Sequence, residues 1–339
     1  MLPSSIKVLF SAAALAGACK AKNETEPEQP APVLSWDGWA DLVPSKDLNY
    51  TSCYEGRLKC TKLTVPIDWL NPEAETKTKV HIALAVLPAV VDEDDESFGG
   101  TILINPGGPA GSGTDQVAQG GAEIQRIADG DKKFAVMGFD PRGVGQTDPP
   151  ADCWRDPLYR LFYDREDRAL GDPIRSDESL HMALARAEGF SKRCEQVGEE
   201  ADYDILEYMS TSSVARDMIH IADKMEELRT GKTIDDDTAE EDKPRVLYWG
   251  LSYGTVLGNY LASMFPGRME RVLLEAVVDV HDYYEGVSIA QPDGTTPPLP
   301  SCLLTVLCIA MAQEPSRHRQ GLRVRLGQLL CCWRGVRSR

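Results

Sequence analysis

Basic side chains, histidines and long apolar runs are all scarce in this chain of 339 residues. Lysine and arginine number 36 against 53 aspartates and glutamates, for a formal net charge of -17. Gripping nucleic acid takes a basic face that neutralises phosphates, so this balance excludes nucleic acid as the partner. The apolar run at residues 8–18 falls short of the roughly 20 residues that span a bilayer, and no membrane span is expected. Of only five histidines, two, His281 and His318, lie beyond residue 252. With 42% hydrophobic residues and a mean hydropathy of -0.30, the chain reads as globular and soluble. Its length allows one large α/β domain with an insertion, or two modest domains.

Against this background stands Gly250-Leu251-Ser252-Tyr253-Gly254, a G-x-S-x-G pentapeptide. It follows Pro244-Arg245-Val246-Leu247-Tyr248-Trp249, which is short, apolar and β-prone. It precedes residues 255–265, helical in composition and closed by Pro266-Gly267. Strand, sharp turn and helix is the geometry of a nucleophile elbow. Small residues two before and two after the serine let the backbone turn so tightly that Oγ stands exposed at the C-terminal end of a sheet. Ser252 is therefore the candidate catalytic nucleophile.

A strand pattern at 101–105 leads directly into Asn105-Pro106-Gly107-Gly108-Pro109-Ala110-Gly111-Ser112-Gly113. Beside a serine nucleophile, such a loop lends one backbone N–H to the developing oxyanion and the residue after the serine, Tyr253, lends the other. Gly108 is the better donor in the loop, because Pro109 has no N–H. Gly108, Gly113 and Thr114 also echo a phosphate-binding loop, but the lysine such a loop carries between glycine and threonine is lacking. At the end of a strand pattern over 134–139 lies Gly138-Phe139-Asp140-Pro141-Arg142-Gly143-Val144-Gly145. Asp140 and Arg142 read there as an ion pair bracing a sharp turn rather than as catalytic charges. His81 and His220 fall inside a strand and a helix pattern and read as structural.

Lys7, the apolar run at 8–18 and the A-x-A of Ala16 and Ala18 read as a secretory signal peptide over 1–18, with a buried helix or short membrane anchor as the alternative. Residues 19–35, rich in Glu, Pro and Lys, read as a disordered leader. Sequons at Asn23 and Asn49 mark glycosylation sites of a secreted protein. Nine cysteines permit disulfides there; Cys53 with Cys60 and Cys153 with Cys194 are possible pairs that sequence alone does not assign. Strand patterns at 63–67, 80–90, 101–105 and 134–139, separated by helical segments, indicate a mostly parallel sheet with helices on both faces. Over about 148–211 the strand signal yields to a polar region with a helical pattern at 180–197, read as an inserted helical lid. Val214, Met218, Ile221, Ala222 and Met225 then form the stripe of a helix packed on the sheet. Residues 301–339 contain seven arginines, no lysine, one acidic residue and four of the nine cysteines. That composition suits sequence read out of frame or from an intron, or else a genuine basic tail. The hydrolytic domain is accordingly expected over 36–300.

The loop at 105–113, the turn at 138–145, Ser213-Val214-Ala215-Arg216-Asp217-Met218 and the elbow at 248–254 stand in the order and spacing of α/β-hydrolases. In detail they resemble the secreted tripeptidyl-aminopeptidase branch, related to proline iminopeptidases. Cys60 and Val65-Pro66-Ile67-Asp68-Trp69 are similar to that branch's first strand, and the resemblance runs from about Cys53 to Gly286. It implies an α/β-hydrolase fold and a serine exopeptidase that cuts short peptides from free N-termini through an acyl-enzyme. The substrate would be a peptide or small acyl compound, with no metal or organic cofactor. An esterase or other acyl hydrolase is the alternative, because elbow and loop define the reaction and not the leaving group. A catalytically silent secreted binding protein is a second alternative. Glu275-Ala276 stands where the branch has Asp-Gly, and Val280 where it has proline. In this fold the acid and histidine follow the serine on loops after the last strands. Those strands are expected to be missing here, making the chain a truncated, inactive copy. Residues 272–278 would then be an open sheet edge unless residues 303–309 cover it.

Overall fold

The computed structural model describes residues 35–72, 78–154, 156–200, 205–235 and 237–280, together with Tyr283 and residues 307–310. The signal-peptide reading, nearly all of the leader, Asn23, His281, His318 and most of the tail lie outside these residues.

The chain lays down, in order, β1 (Thr51–Cys53), β2 (Leu58–Pro66), β3 (Lys79–Leu87), β4 (Phe98–Asn105), α1 (Gly113–Ala128), β5 (Lys133–Phe139), α2 (Pro157–Leu170), α3 (Asp177–Glu200), α4 (Thr211–Thr230), β6 (Val246–Leu251), α5 (Tyr253–Met264), β7 (Met269–Glu275) and β8 (Leu307–Ala310). All eight strands join one sheet in the order β1-β2-β3-β5-β4-β6-β7-β8. The β4–β5, β4–β6 and β6–β7 pairs are parallel, and the remaining pairs are antiparallel. From β2 to β7 this is the strand order of the α/β-hydrolase fold.

Strand periodicity divides the core into two layers. Ile82 and Leu84 of β3 share one layer with Leu103 and Met137, and that layer is closed by Val214, Met218 and Ile221 of α4 and by Leu257 and Leu261 of α5. Ala83 and Ala85 face the other way, with Ile104 and Val136, onto Val117 and Ala118 of α1. Burial on both faces is why these strands read as nearly continuous apolar runs.

Element ends follow local chemistry. β3 stops at Leu87, short of the expected residue 90, because Pro88 has no N–H for the ladder. β2 starts at Leu58 rather than 63, since a tight turn through Tyr54, Glu55 and Gly56, all at positive φ, folds β1 back onto it. The Cys53–Cys60 disulfide closes that turn. β7 ends at Glu275 rather than at 278, because Ala276 takes φ 53° and turns the backbone out of the strand. Residues 307–310 of the basic tail pair antiparallel with β7, as the edge-cover reading allowed.

Between β5 and α4 the chain leaves the sheet and forms α2 and α3. Helix α2 was not anticipated, although its start is legible: Asp156 caps it, accepting the Leu158 N–H at 2.8 Å, and Pro157 opens the first turn. The Cys153–Cys194 disulfide and a cluster of Trp154, Tyr163 and Phe190 rings hold α2 to α3. Helix α3 buries no residue, and Phe162 and Leu184 stay mostly exposed.

Candidate active site

β4 is the strand at which the sheet changes winding direction. The chain leaves it through α1 to reach β5 on one side, while β6 and β7, joined by α5, lie on the other. In open α/β sheets the crevice for ligands lies at the carboxyl ends of the strands flanking such a point. Here those ends are Asn105 and Leu251, and the β4–β6 register pairs Asn105 with Gly250, aligning the glycine-rich loop with the elbow.

Ser252 is exposed and has φ 53° and ψ -121°, a conformation that costs an L-residue about 1–3 kcal/mol. Its neighbours impose it. The Ser252 N–H donates to the Glu275 carbonyl at 3.0 Å, and its own carbonyl accepts from the Thr255 N–H at 2.8 Å and Oγ1 at 2.6 Å. A Cβ on Gly250 would stand 2.3 Å from the Gly254 carbonyl oxygen, and one on Gly254 would stand 2.7 Å from that of Asn105. Contact therefore demands glycine on both sides of the serine.

In the facing loop, Gly107 is buried at φ 92° and Gly108 is exposed at φ 110°. A Cβ on Gly107 would lie 2.9 Å from both Ser252 Cβ and the Tyr253 nitrogen, so the loop packs directly on the elbow. The Gly107 N–H donates to Asn105 Oδ1 at 3.0 Å, and the Gly107 carbonyl accepts the Gly111 N–H at 2.9 Å. Among the described residues the N–H groups of Gly108 and Tyr253 have no acceptor. An exposed serine hydroxyl on such a turn can attack a carbonyl wherever backbone N–H groups are placed to hold the oxygen as it becomes negative.

The expected ion pair between Asp140 and Arg142 is corrected by the structure. Asp140 is filled by four donors, Ser112 Oγ at 2.8 Å, Thr114 N and Oγ1 at 3.0 Å and Gln146 N at 2.8 Å, which tie the start of α1 to the end of β5. Burial raises its carboxyl pKa and these bonds oppose the rise. Arg142 instead reaches α4, with Nε 2.6 Å from Asp217 Oδ2 and Nη2 2.7 Å from Oδ1. It also donates to the carbonyls of Pro66 and Ile67, and the Trp69 indole donates to Asp217 at 2.8 Å. The pair clamps the end of β2 to α4. Both expected roles remain structural, in two separate networks.

Tyr253 is buried, with its hydroxyl 2.7 Å from Thr211 Oγ1; burial pushes its phenol up and that hydrogen bond works the other way. Of the described histidines, His81 lies with Nδ1 3.0 Å from Thr64 Oγ1, its pKa lowered by burial. His220 packs on Trp69, and burial pushes it down to about 4. His181 sits on exposed α3. None of the three hydrogen bonds to Ser252. Asn49 is exposed just ahead of β1, where a sequon can be modified. Sequence reasoning passed over the buried Asn105 side chain, whose signal was a polar residue closing an apolar strand just before Pro-Gly-Gly.

The strand order and the helices packed on both faces of the sheet are those of the α/β-hydrolase fold. No protein-family model matches the chain. Over 222 residues it is 28% identical to a tripeptidyl aminopeptidase of Streptomyces coelicolor, covering 66% of this chain and 35% of that protein. It is 28% identical over 244 residues to the serine protease Hip1 of Mycobacterium tuberculosis, covering 70% and 39%. Carboxylesterase B of Mycobacterium tuberculosis is 30% identical over 192 residues, covering 56% and 32%. The chain thus spans about a third of the length of these relatives, which carry the names of peptidases and an esterase. Among the described residues no helix is long and apolar enough to cross a membrane, and no three potential metal ligands converge.

Proposed function

We propose that this chain carries the nucleophile and oxyanion hole of a secreted serine hydrolase, an aminopeptidase that releases short peptides from free N-termini through an acyl-enzyme. Ser252 carries the reading: it is exposed and held at positive φ, at the switch point of the sheet, with the glycine-rich loop packed on it at Gly107 and the N–H groups of Tyr253 and Gly108 without acceptors among the described residues. In the reaction, Ser252 Oγ attacks the scissile carbonyl, whose oxygen gains negative charge and is held by Gly108 and Tyr253. A histidine takes the serine proton and returns it to the leaving amine. His281 and His318 follow the serine in chain order, and a chain in which neither reaches Ser252 is an inactive copy of such an enzyme. Two disulfides among the described residues support an oxidising, extracellular location. This chemistry calls for no metal or organic cofactor. The likeness to a carboxylesterase favours an ester substrate as the second reading.

The test is covalent labelling of the full chain with a fluorophosphonate, beside Ser252→Ala, followed by turnover of short peptide amides and esters. Labelling lost in Ser252→Ala, with release of peptides from a free N-terminus, would establish an active aminopeptidase and overturn the inactive-copy reading. Turnover of esters alone would replace the peptidase reading by the esterase one. Absence of labelling in the unsubstituted protein would leave an inactive copy of such an enzyme or a silent binding protein.

A further inference from the structure

We propose that Asn105 is a positioning residue that aims the Gly108 N–H at the oxyanion, an inference that rests on Ser252 being the nucleophile. Asn105 closes β4 and is wholly buried. Its Oδ1 takes the Gly107 N–H at 3.0 Å, while its Nδ2 is buried with no partner among the described residues. A side chain kept for packing alone would not bring a buried donor with nothing to accept it.

The direction of the Gly108 N–H follows from peptide geometry. In a planar trans peptide the carbonyl and the next N–H point opposite ways. The Gly107 carbonyl is turned into the loop by the Gly111 N–H at 2.9 Å, so the Gly108 N–H is turned outward. Two successive glycines at positive φ would otherwise let this peptide rotate freely. Asn105 Oδ1 on one side and the Gly111 N–H on the other tether Gly107, where an added Cβ would run into Ser252 and Tyr253. The same Oδ1 lies 3.0 Å from where a Cβ on Gly254 would stand, so one carboxamide sets the spacing between loop and elbow.

The experiment compares Asn105→Ala with Asn105→Ser in the full chain, since a serine hydroxyl can accept from the N–H two residues on. Fluorophosphonate labelling at Ser252 is resolved into an inactivation rate constant, kinact, and a binding constant, KI. Misplacing an oxyanion donor costs about 100-fold in rate. The expected result is such a loss of kinact in Asn105→Ala, roughly tenfold of it recovered in Asn105→Ser, with KI unchanged within a factor of about three. An unsubstituted chain labelled at Ser252 with kinact unaltered in Asn105→Ala overturns the assignment and leaves the nucleophile intact. A smaller labelled fraction at unchanged kinact also overturns it, as the mark of a folding role. No labelling of the unsubstituted chain at Ser252 removes the nucleophile and this inference together. Amide hydrogen exchange gives a second readout, with Gly107 exchanging about tenfold faster in Asn105→Ala and equal rates counting against the tether.

Discussion

Arg142 and Asp217 offer the sharpest test of how this domain is held together. Both side chains are fully buried, and their two hydrogen bonds join the turn after β5 to α4. Replacing Asp217 with Leu strands a guanidinium that keeps only the carbonyls of Pro66 and Ile67, and Arg142→Met strands a carboxylate that keeps only the Trp69 indole. Removing one partner of a buried pair costs about 3–5 kcal/mol. Arg142→Met belongs at the upper end, because one neutral donor compensates a carboxylate less than two carbonyls compensate a guanidinium. Against a domain stability of about 5–15 kcal/mol, either change is a large fraction, and at about 2–4 °C per kcal/mol it lowers Tm by roughly 10 °C. The double variant removes both charges and should cost at least about 2 kcal/mol less than the sum of the singles. Urea unfolding followed by tryptophan fluorescence measures all three. A parallel cycle of Arg142→Met with Asp140→Asn should be additive within about 0.5 kcal/mol. Strong coupling there, together with additivity between Arg142 and Asp217, would refute the pairing.

Two further outcomes follow from single residues. Ala276 holds φ 53° in an exposed position, so Ala276→Gly should stabilise the domain by roughly 0.5–1 kcal/mol; an unchanged or lower urea midpoint would count against strain at that residue. His220, pushed to about 4 from an ordinary 6.5, is neutral in the folded protein while the unfolded chain takes up a proton first. Its contribution is therefore present above pH 6.5 and is lost as pH falls toward 4, by about 3 kcal/mol at most. His220→Asn should flatten the fall in urea stability between pH 7 and 4.5, and an equally steep fall in the variant would remove His220 as its cause.

Local patterns carried much of this architecture because their physics is local. Strands buried on both faces must be apolar throughout, so β3, β4 and β5 were visible as runs, and the spacing of Val214, Met218 and Ile221 announced α4. The elbow was legible for the same reason: only glycine fits at 250 and 254, where an added Cβ would meet backbone at 2.3 and 2.7 Å. The Asp-Gly expected at 275–276 also has its explanation in the positive φ that Ala276 now bears.

Contacts between segments far apart in the chain were decided only by the tertiary structure. Asp140 and Arg142 are two residues apart and oppositely charged, yet each bonds elsewhere. The α1 donors reach Asp140 first, and the packing of β2 against α4 brings Asp217 to Arg142. Asn105 gained its place only when β4 and β6 came into register and set its carboxamide between loop and elbow. The pairing of residues 307–310 with β7 likewise depends on an exposed row of backbone groups, which sequence periodicity does not encode. Sequence determined the elements and the serine's turn because sterics and burial act within a few residues. Which charges, amides and edges meet depended on how those elements pack.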